Sequence, residues 1–366
     1  MVRELPAIDP ALHRALREIQ SAQGPTVTLD GKDVLLLCSN DYLGLAGDPR
    51  LREAAAEAAY RWGAGAGASQ LVSGHMTIHR ELEERLAELK GYEACVLFGS
   101  GFLANTGVIA ALATDGIVAS DALNHASIVD GCRLARAQTH VYPHNEIPDK
   151  ADVIVTDAVF SMDGDVADLE ALVNTGARVI VDEAHATGVI GAEGRGLVHA
   201  LGLQDHVITI GTLGKALGSY GAFVCCDRQT ADYLINKART MIYSTALPPP
   251  SVGAALKALD LMDRELVGRL HANARILRDA LGVPASDMPI VPLIIGDPDE
   301  AMDACESALR EGFFAQAIRP PTVPEGTSRL RVVATAAHDP EDLRRVGYSS
   351  LRREVVPTGG VRQHGR

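Results

Sequence analysis

The chain has 366 residues, 47% of them apolar, with 35 glycines, a single tryptophan and a formal net charge of −13. That length supports one large domain plus a smaller one with ample core. The acidic balance, without any basic run interleaved with aromatics, argues against nucleic-acid binding, and no uninterrupted apolar run is long enough to cross a bilayer.

Met1-Val2-Arg3-Glu4-Leu5-Pro6 has no apolar signal core, so a cytoplasmic protein is expected. The cysteines (Cys38, Cys95, Cys132, Cys225, Cys226, Cys305) show no CxxC spacing and read as reduced core thiols. The histidines are scattered, without the short helical spacing of a zinc site, and no metal is expected.

In chain order, residues 10–20 read as a short amphipathic helix carrying Arg14 and Arg17. Asp30-Gly31-Lys32-Asp33 reads as a hairpin turn before the apolar run Val34 to Cys38, and Ser39 to Gly44 is turn chemistry again. Arg50 to Trp62 is a helix by composition. The glycine-rich stretch Gly63 to Gly74 reads as an ordered loop, because Leu71-Val72 lies inside it and a helix follows over 77–90.

From Ala94 on, apolar runs at 95–98, 117–119, 153–156, 179–181, 207–210 and 222–226 alternate with helical segments. This predicts a mostly parallel sheet with ligands bound outside the carboxyl ends of its strands. Leu247-Pro248-Pro249-Pro250 marks a break. Beyond it come a helical stretch at 251–281, strand-like runs at 290–295, 313–318 and 329–334, and a helix at 339–353. The expected organisation is an N-terminal segment (1–45), a large domain (46–247), a smaller α+β domain (248–355) and a flexible tail (356–366).

Chemistry concentrates at those strand ends. Gly211-Thr212-Leu213-Gly214-Lys215-Ala216-Leu217-Gly218 places one lysine among small residues after the run Val207 to Ile210. It is not a phosphate-binding P-loop, because Ala216 follows the lysine where Ser or Thr is needed. A lysine walled by apolar neighbours loses its proton more easily, as a Schiff-base lysine must. Val179-Ile180-Val181-Asp182-Glu183-Ala184-His185 ends another strand in a carboxylate, with an imidazole three residues on. Gly99-Ser100-Gly101-Phe102 joins a strand to a helix whose start suits a phosphate. Asn124-His125 follows a further strand, and Ser161-Met162-Asp163-Gly164-Asp165 is a polar turn. An amine for an aldehyde, a carboxylate for a pyridine nitrogen and an aromatic face are the parts of a pyridoxal phosphate (PLP) site. A nucleotide-binding oxidoreductase would need a GxGxxG unit after the first strand, which the sequence lacks.

In order, these pieces resemble the α-oxoamine synthases, PLP-dependent transferases of fold type I. The resemblance runs from Ser39-Asn40-Asp41-Tyr42-Leu43-Gly44 to Thr335-Ala336-Ala337-His338. Its strongest points are Phe160 to Asp165, Val181 to His185 and Thr212 to Lys215. It implies that Lys215 carries the cofactor covalently, that Asp182 holds the pyridinium proton and that His125 stacks on the ring. His185 would lie near the phenolic oxygen with Ser161 close by, while Thr212, Gly101 and Phe102 hold the phosphate. Ser244 or Thr245 would reach the phosphate of a neighbouring subunit in a homodimer. Arg319 would bind the amino-acid carboxylate, with Thr322 on the acyl side beside either Arg14 or Arg17.

Ala317-Ile318-Arg319-Pro320-Pro321-Thr322-Val323-Pro324 is most similar to members that join L-alanine to a pimeloyl thioester, pimeloyl-CoA or pimeloyl-acyl-carrier protein, in biotin biosynthesis. Other members use glycine or serine with a different acyl-CoA. Gln70 stands where many relatives have a basic residue, and Ala186 where glycine is usual. Arg344, Arg345, Arg352 and Arg353 offer a local basic patch for an acidic carrier protein. A catalytically silent relative of this fold is the alternative from another class. The joint presence of Lys215, Asp182, His125, His185 and Arg319 argues against it.

Overall fold

A computed structural model describes Ala7 and Asp9–Glu354; the stretch 356–366, expected to be a tail, lies outside the described residues. The chain forms two compact units, one spanning Asp41–Arg269 and the other made of the described residues on either side of that span.

The second of these units begins with a single 3-10 turn, Pro10–Leu12, and not with the expected helix over 10–20. The reason is competition for carbonyls. The Arg319 guanidinium donates to the Ala11 and His13 carbonyls, which a helix would have used. Leu16 is fully exposed and offers no apolar face to bury. Strands β1 (Thr26–Leu29) and β2 (Lys32–Leu36) then pair antiparallel across Asp30-Gly31. Both turn residues have positive φ, 52° and 72°, as a two-residue hairpin with the right twist demands.

The Asp41–Arg269 unit opens with helices α1 (Pro49–Trp62) and α2 (Thr77–Lys90). Strand β3 (Ala94–Phe98) leads into α3 (Gly101–Leu112), and β4 (Ile117–Asp121) into α4 (Ala126–Ala135). There follow β5 (Gln138–Tyr142), β6 (Val153–Asp157), α5 (Leu169–Val173) and β7 (Arg178–Asp182). The unit closes with α6 (Leu197–Ala200), β8 (Val207–Thr212), β9 (Ala222–Cys226), α7 (Arg228–Lys237), α8 (Arg239–Ile242) and α9 (Pro249–Leu261).

Seven strands form one sheet in the order β3-β9-β8-β7-β6-β4-β5. The β8-β7-β6-β4-β5 neighbours are parallel, and β9 runs against both β3 and β8. The sheet is therefore mostly parallel, as the apolar runs predicted. Those runs are unbroken because strands with helices on both faces have no wet side. Val155, Ile180, Ile210 and Val224 pack with Val108 and Ile109 of α3 and Ile128 of α4 in one core.

The expected helical stretch 251–281 is two helices, α9 and α10 (Arg264–Leu281). Asp263 starts the second by accepting the Leu266 N–H at 2.7 Å, so the break is a cap without proline or glycine. The chain continues through β10 (Ile290–Gly296), α11 (Pro298–Arg310), β11 (Phe313–Phe314), β12 (Gln316–Ile318), β13 (Ser328–Val333) and α12 (Pro340–Arg345). After Arg345 the expected final helix gives way to 3-10 turns. Strand β11 pairs with β2 to complete a β1-β2-β11 sheet, and β10-β13-β12 form an antiparallel one. Among the described residues, no helix is long and apolar enough to cross a membrane.

Candidate active site

In the Asp41–Arg269 unit the candidate residues gather at the carboxyl ends of parallel strands. Asp182 ends β7, Asp157 ends β6 directly beside it in register, and Thr212 ends β8. Lys215 follows Thr212 on a tight loop closed by Gly218 N–H to Lys215 C=O at 2.9 Å and by Leu213 N–H to Gly221 C=O at 2.9 Å. The Lys215 Nζ lies 2.8 Å from His185 Nε2, and the other ring nitrogen of His185 lies 2.6 Å from the Tyr42 hydroxyl. His185 and Tyr42 are both buried.

Two backbones approach closely to make this contact. Gly188 has φ +77°, and a Cβ there would stand 2.4 Å from the Ala216 Cβ, so only glycine lets the His185 turn press on the Lys215 loop. Glu183, next to Asp182, is fully buried and paired with the equally buried Lys90. Lys90 Nζ also donates to Thr187 Oγ1 at 3.0 Å and Arg195 C=O at 2.7 Å, while Glu183 Oε1 accepts the Val198 N–H at 2.8 Å. This pair anchors the Asp182–His185 turn from behind.

Asp182 accepts two hydrogen bonds, from Asn105 Nδ2 at 2.6 Å and from the Ala184 N–H at 2.7 Å. Asn105 Nδ2 also reaches Ser127 Oγ at 2.9 Å, and Ser127 Oγ lies 2.7 Å from His125 Nδ1. The imidazole of His125 is held below its ordinary titration range by burial; the Asp182 charge opposes that shift and Lys215 reinforces it. Asp157 accepts the His125 N–H at 2.8 Å. Burial and the Asp182 charge push its carboxyl well above the usual range.

Ser100 caps α3 by accepting the Leu103 N–H at 3.2 Å. Gly101 and Phe102 sit in the first turn, whose N–H groups have no intrahelical partner. Thr212 adjoins them, since the nearest atom to a Cβ built on Gly101 is the Thr212 Cβ at 4.0 Å. Ser161 lies on the turn after β6, which is closed by Gly164 N–H to Phe160 C=O at 2.8 Å. His144 braces that turn: Nε2 is 2.7 Å from Asp165 and Nδ1 is 3.0 Å from Asp121 at the end of β4. Thr245 bridges to Ser69 of the glycine-rich loop, and Gln70 of that loop is tied to the Leu97 carbonyl at 2.9 Å.

In the other unit, Arg14 donates to Thr322 Oγ1 at 3.1 Å. Arg17 instead pairs with Glu306 and lies 5.8 Å from the Phe314 ring centroid. The Arg319 guanidinium is occupied by two carbonyls, Ala11 at 2.6 Å and His13 at 2.9 Å. Arg331, which sequence reasoning passed over, is buried on β13 and donates to Asn40 Oδ1 at 2.9 Å. Two arginines at alternate positions of an apolar strand, Arg329 and Arg331, were the available signal. Asn105, Ser127, Asp157 and Tyr42 were also missed as site residues.

The donor set fits PLP. It offers an amine, a buried carboxylate and a helix start facing a threonine, all at one end of the sheet, and Lys215, Asp182 and Gly101-Phe102 with Thr212 are the residues that could hold it. Such a site at the carboxyl ends of a mostly parallel seven-stranded sheet belongs to a fold type I enzyme. The family model for class I and II aminotransferases matches residues 32–347, and the chain belongs to that family. The 8-amino-7-oxononanoate synthase of Anaeromyxobacter dehalogenans is 49% identical over 378 residues, covering 97% of this chain and 94% of that one. The chain is thus a member of the 8-amino-7-oxononanoate synthases. A solved structure of SPT with PLP internal aldimine is 31% identical with a TM-score of 0.86, covering 93% of this chain and 92% of that one. The 8-amino-7-oxononanoate synthase of Francisella tularensis is 27% identical with a TM-score of 0.76, covering 88% of this chain and 97% of that one.

Proposed function

We propose that the chain catalyses PLP-dependent, decarboxylative condensation of L-alanine with a pimeloyl thioester. The products are 8-amino-7-oxononanoate, CO2 and free thiol, a step of biotin biosynthesis. The observation that carries the reading is the meeting of Lys215 with His185 at 2.8 Å, beside Asp182 on the adjoining strand. The alanine and pimeloyl specificity rests on the 49% identity to a named synthase.

When bound, PLP supplies an electron sink that eases loss of a proton and then of CO2 at the amino-acid carbon. Asp182 would face the ring nitrogen and favour its protonated form. Lys215 is the amine that holds the cofactor and then takes and returns the Cα proton, and His185 orients its Nζ. His125 would cover the ring and exclude water. Gly101, Phe102 and Thr212 would grip the phosphate, with Ser161 close to the ring. Arg14 and Thr322, which touch each other, are candidates for the acyl side. Arg319 would bind the amino-acid carboxylate, on exchanging the Ala11 and His13 carbonyls that its guanidinium now meets.

The acting form is a homodimer in which Ser244 or Thr245 serves the neighbouring site. Leu71 and Val72, 53% and 79% exposed beside the Ser69–Thr245 bridge, are the kind of apolar surface a second copy covers. The test is an assay of L-alanine with pimeloyl-CoA and with pimeloyl-acyl-carrier protein, following thiol and CO2. Release with alanine supports the reading. Release only with glycine or serine would assign a different α-oxoamine synthase, and none with any pairing would overturn it.

A further inference from the structure

The backbone N–H of Ser127 points at His125 Nδ1, 3.2 Å away. A backbone amide only donates, so Nδ1 is an acceptor and carries no proton. The Ser127 hydroxyl is 2.7 Å from the same nitrogen and accepts from Asn105 Nδ2, so its own hydrogen is available for Nδ1. The Asn105 amide spends both hydrogens, one on Ser127 Oγ and one on Asp182 Oδ2. The direction of the chain is therefore fixed from the carboxylate outward. Asn105 and Ser127 are buried and have no share in the chemistry described above.

We propose that Asn105 and Ser127 are positioning residues that hold His125 as a neutral imidazole protonated on Nε2, through a hydrogen-bond chain anchored on Asp182. The ring then presents an N–H away from helix α4, and its plane is fixed by two donors on one nitrogen. Both donors bind the lone pair that protonation would consume, so they stabilise the neutral form. The charged or titratable groups around the ring are Asp182, which favours protonation, Lys215, which opposes it, and Asp157, which takes the His125 backbone N–H. The effect on turnover rests on the proposed cofactor site; the tautomer does not.

The experiment is nitrogen NMR of holoenzyme labelled in its histidines, with His125→Asn identifying the resonances. Wild type should show an unprotonated Nδ1 and a protonated Nε2 that persist below the ordinary histidine midpoint. Ser127→Ala removes the hydroxyl donor and keeps the backbone N–H, so Nε2 should stay protonated while the His125 midpoint moves upward. Its kcat should fall about tenfold, the worth of one buried hydrogen bond, with KM for alanine within about twofold. Ser127→Thr, which keeps the hydroxyl, should restore both the midpoint and kcat. A wild-type spectrum with Nδ1 protonated would overturn the inference, even if Ser127→Ala does not fold. So would a Ser127→Ala protein with an unchanged midpoint. Because the spectrum reads His125 whether or not turnover occurs, an inactive protein with the expected tautomer would fail the proposed function alone.

Discussion

Asp182→Asn tests the site at its most constrained atom pair. Both carboxylate oxygens accept, one from Asn105 and one from the Ala184 backbone. An asparagine has one acceptor oxygen, so its NH2 must face one of these two donors whichever way the amide is turned. Flipping cannot relieve the clash, and one buried hydrogen bond is lost with a donor left unmatched. The cost is about 1–3 kcal/mol of stability. The larger effect falls on the reaction. An opposite charge beside a titrating group favours its charged form by roughly one to three pH units, each worth ~1.4 kcal/mol. A neutral asparagine should therefore lower kcat by about 10- to 10³-fold while PLP still binds. Thermal unfolding, cofactor absorbance and steady-state rates on one preparation separate the two effects. A variant with wild-type melting and a wild-type rate would refute both the hydrogen-bond count and the role of the carboxylate.

Lys90→Met leaves Glu183 buried without its cation and should destabilise the Asp41–Arg269 unit by about 3–5 kcal/mol, read by urea unfolding; a loss under 1 kcal/mol would contradict the anchoring role. Two histidines set opposite pH limits. Burial holds His338 down to about 4 against its ordinary 6.5, so its contribution is complete above 6.5 and is lost as pH falls toward 4, a gap of about 3 kcal/mol. His144 is raised despite its desolvation, because Asp121 and Asp165 flank it. Its contribution is present below the ordinary value and disappears as pH rises through the raised midpoint. Melting curves of His338→Gln and His144→Gln should flatten the acid and alkaline limbs respectively, and a swapped or absent effect would show the burial or pairing argument to be wrong. Arg319→Ala should raise KM for alanine at least tenfold, and an unchanged KM would remove Arg319 as the carboxylate residue.

The sheet was legible because six of its strands are buried on both faces and read as unbroken apolar runs. Strand β5, Gln138-Thr139-His140-Val141-Tyr142, was not, since it is an exposed edge with no apolar face to betray it. Pairing of β2 with β11 was equally invisible, because it joins distant parts of the chain and β11 is two residues long. Residues 10–20 have helical composition, yet Arg319 takes their carbonyls, a tertiary contact that local pattern does not encode. The site shows the same division. Lys215, Asp182 and His185 stand at strand ends with recognisable neighbours. Asn105, Ser127 and Tyr42 matter only through what they touch in space, and each looks like an ordinary helix or turn residue in one dimension.

The decisive observation concerns the ε-amine at position 215. Reduction of cofactor-loaded protein with borohydride, followed by peptide mapping, should find phosphopyridoxyl mass on the peptide containing Lys215 and none on Lys90 or Lys237. Label on another lysine, or none on fully loaded protein, would contradict the assignment.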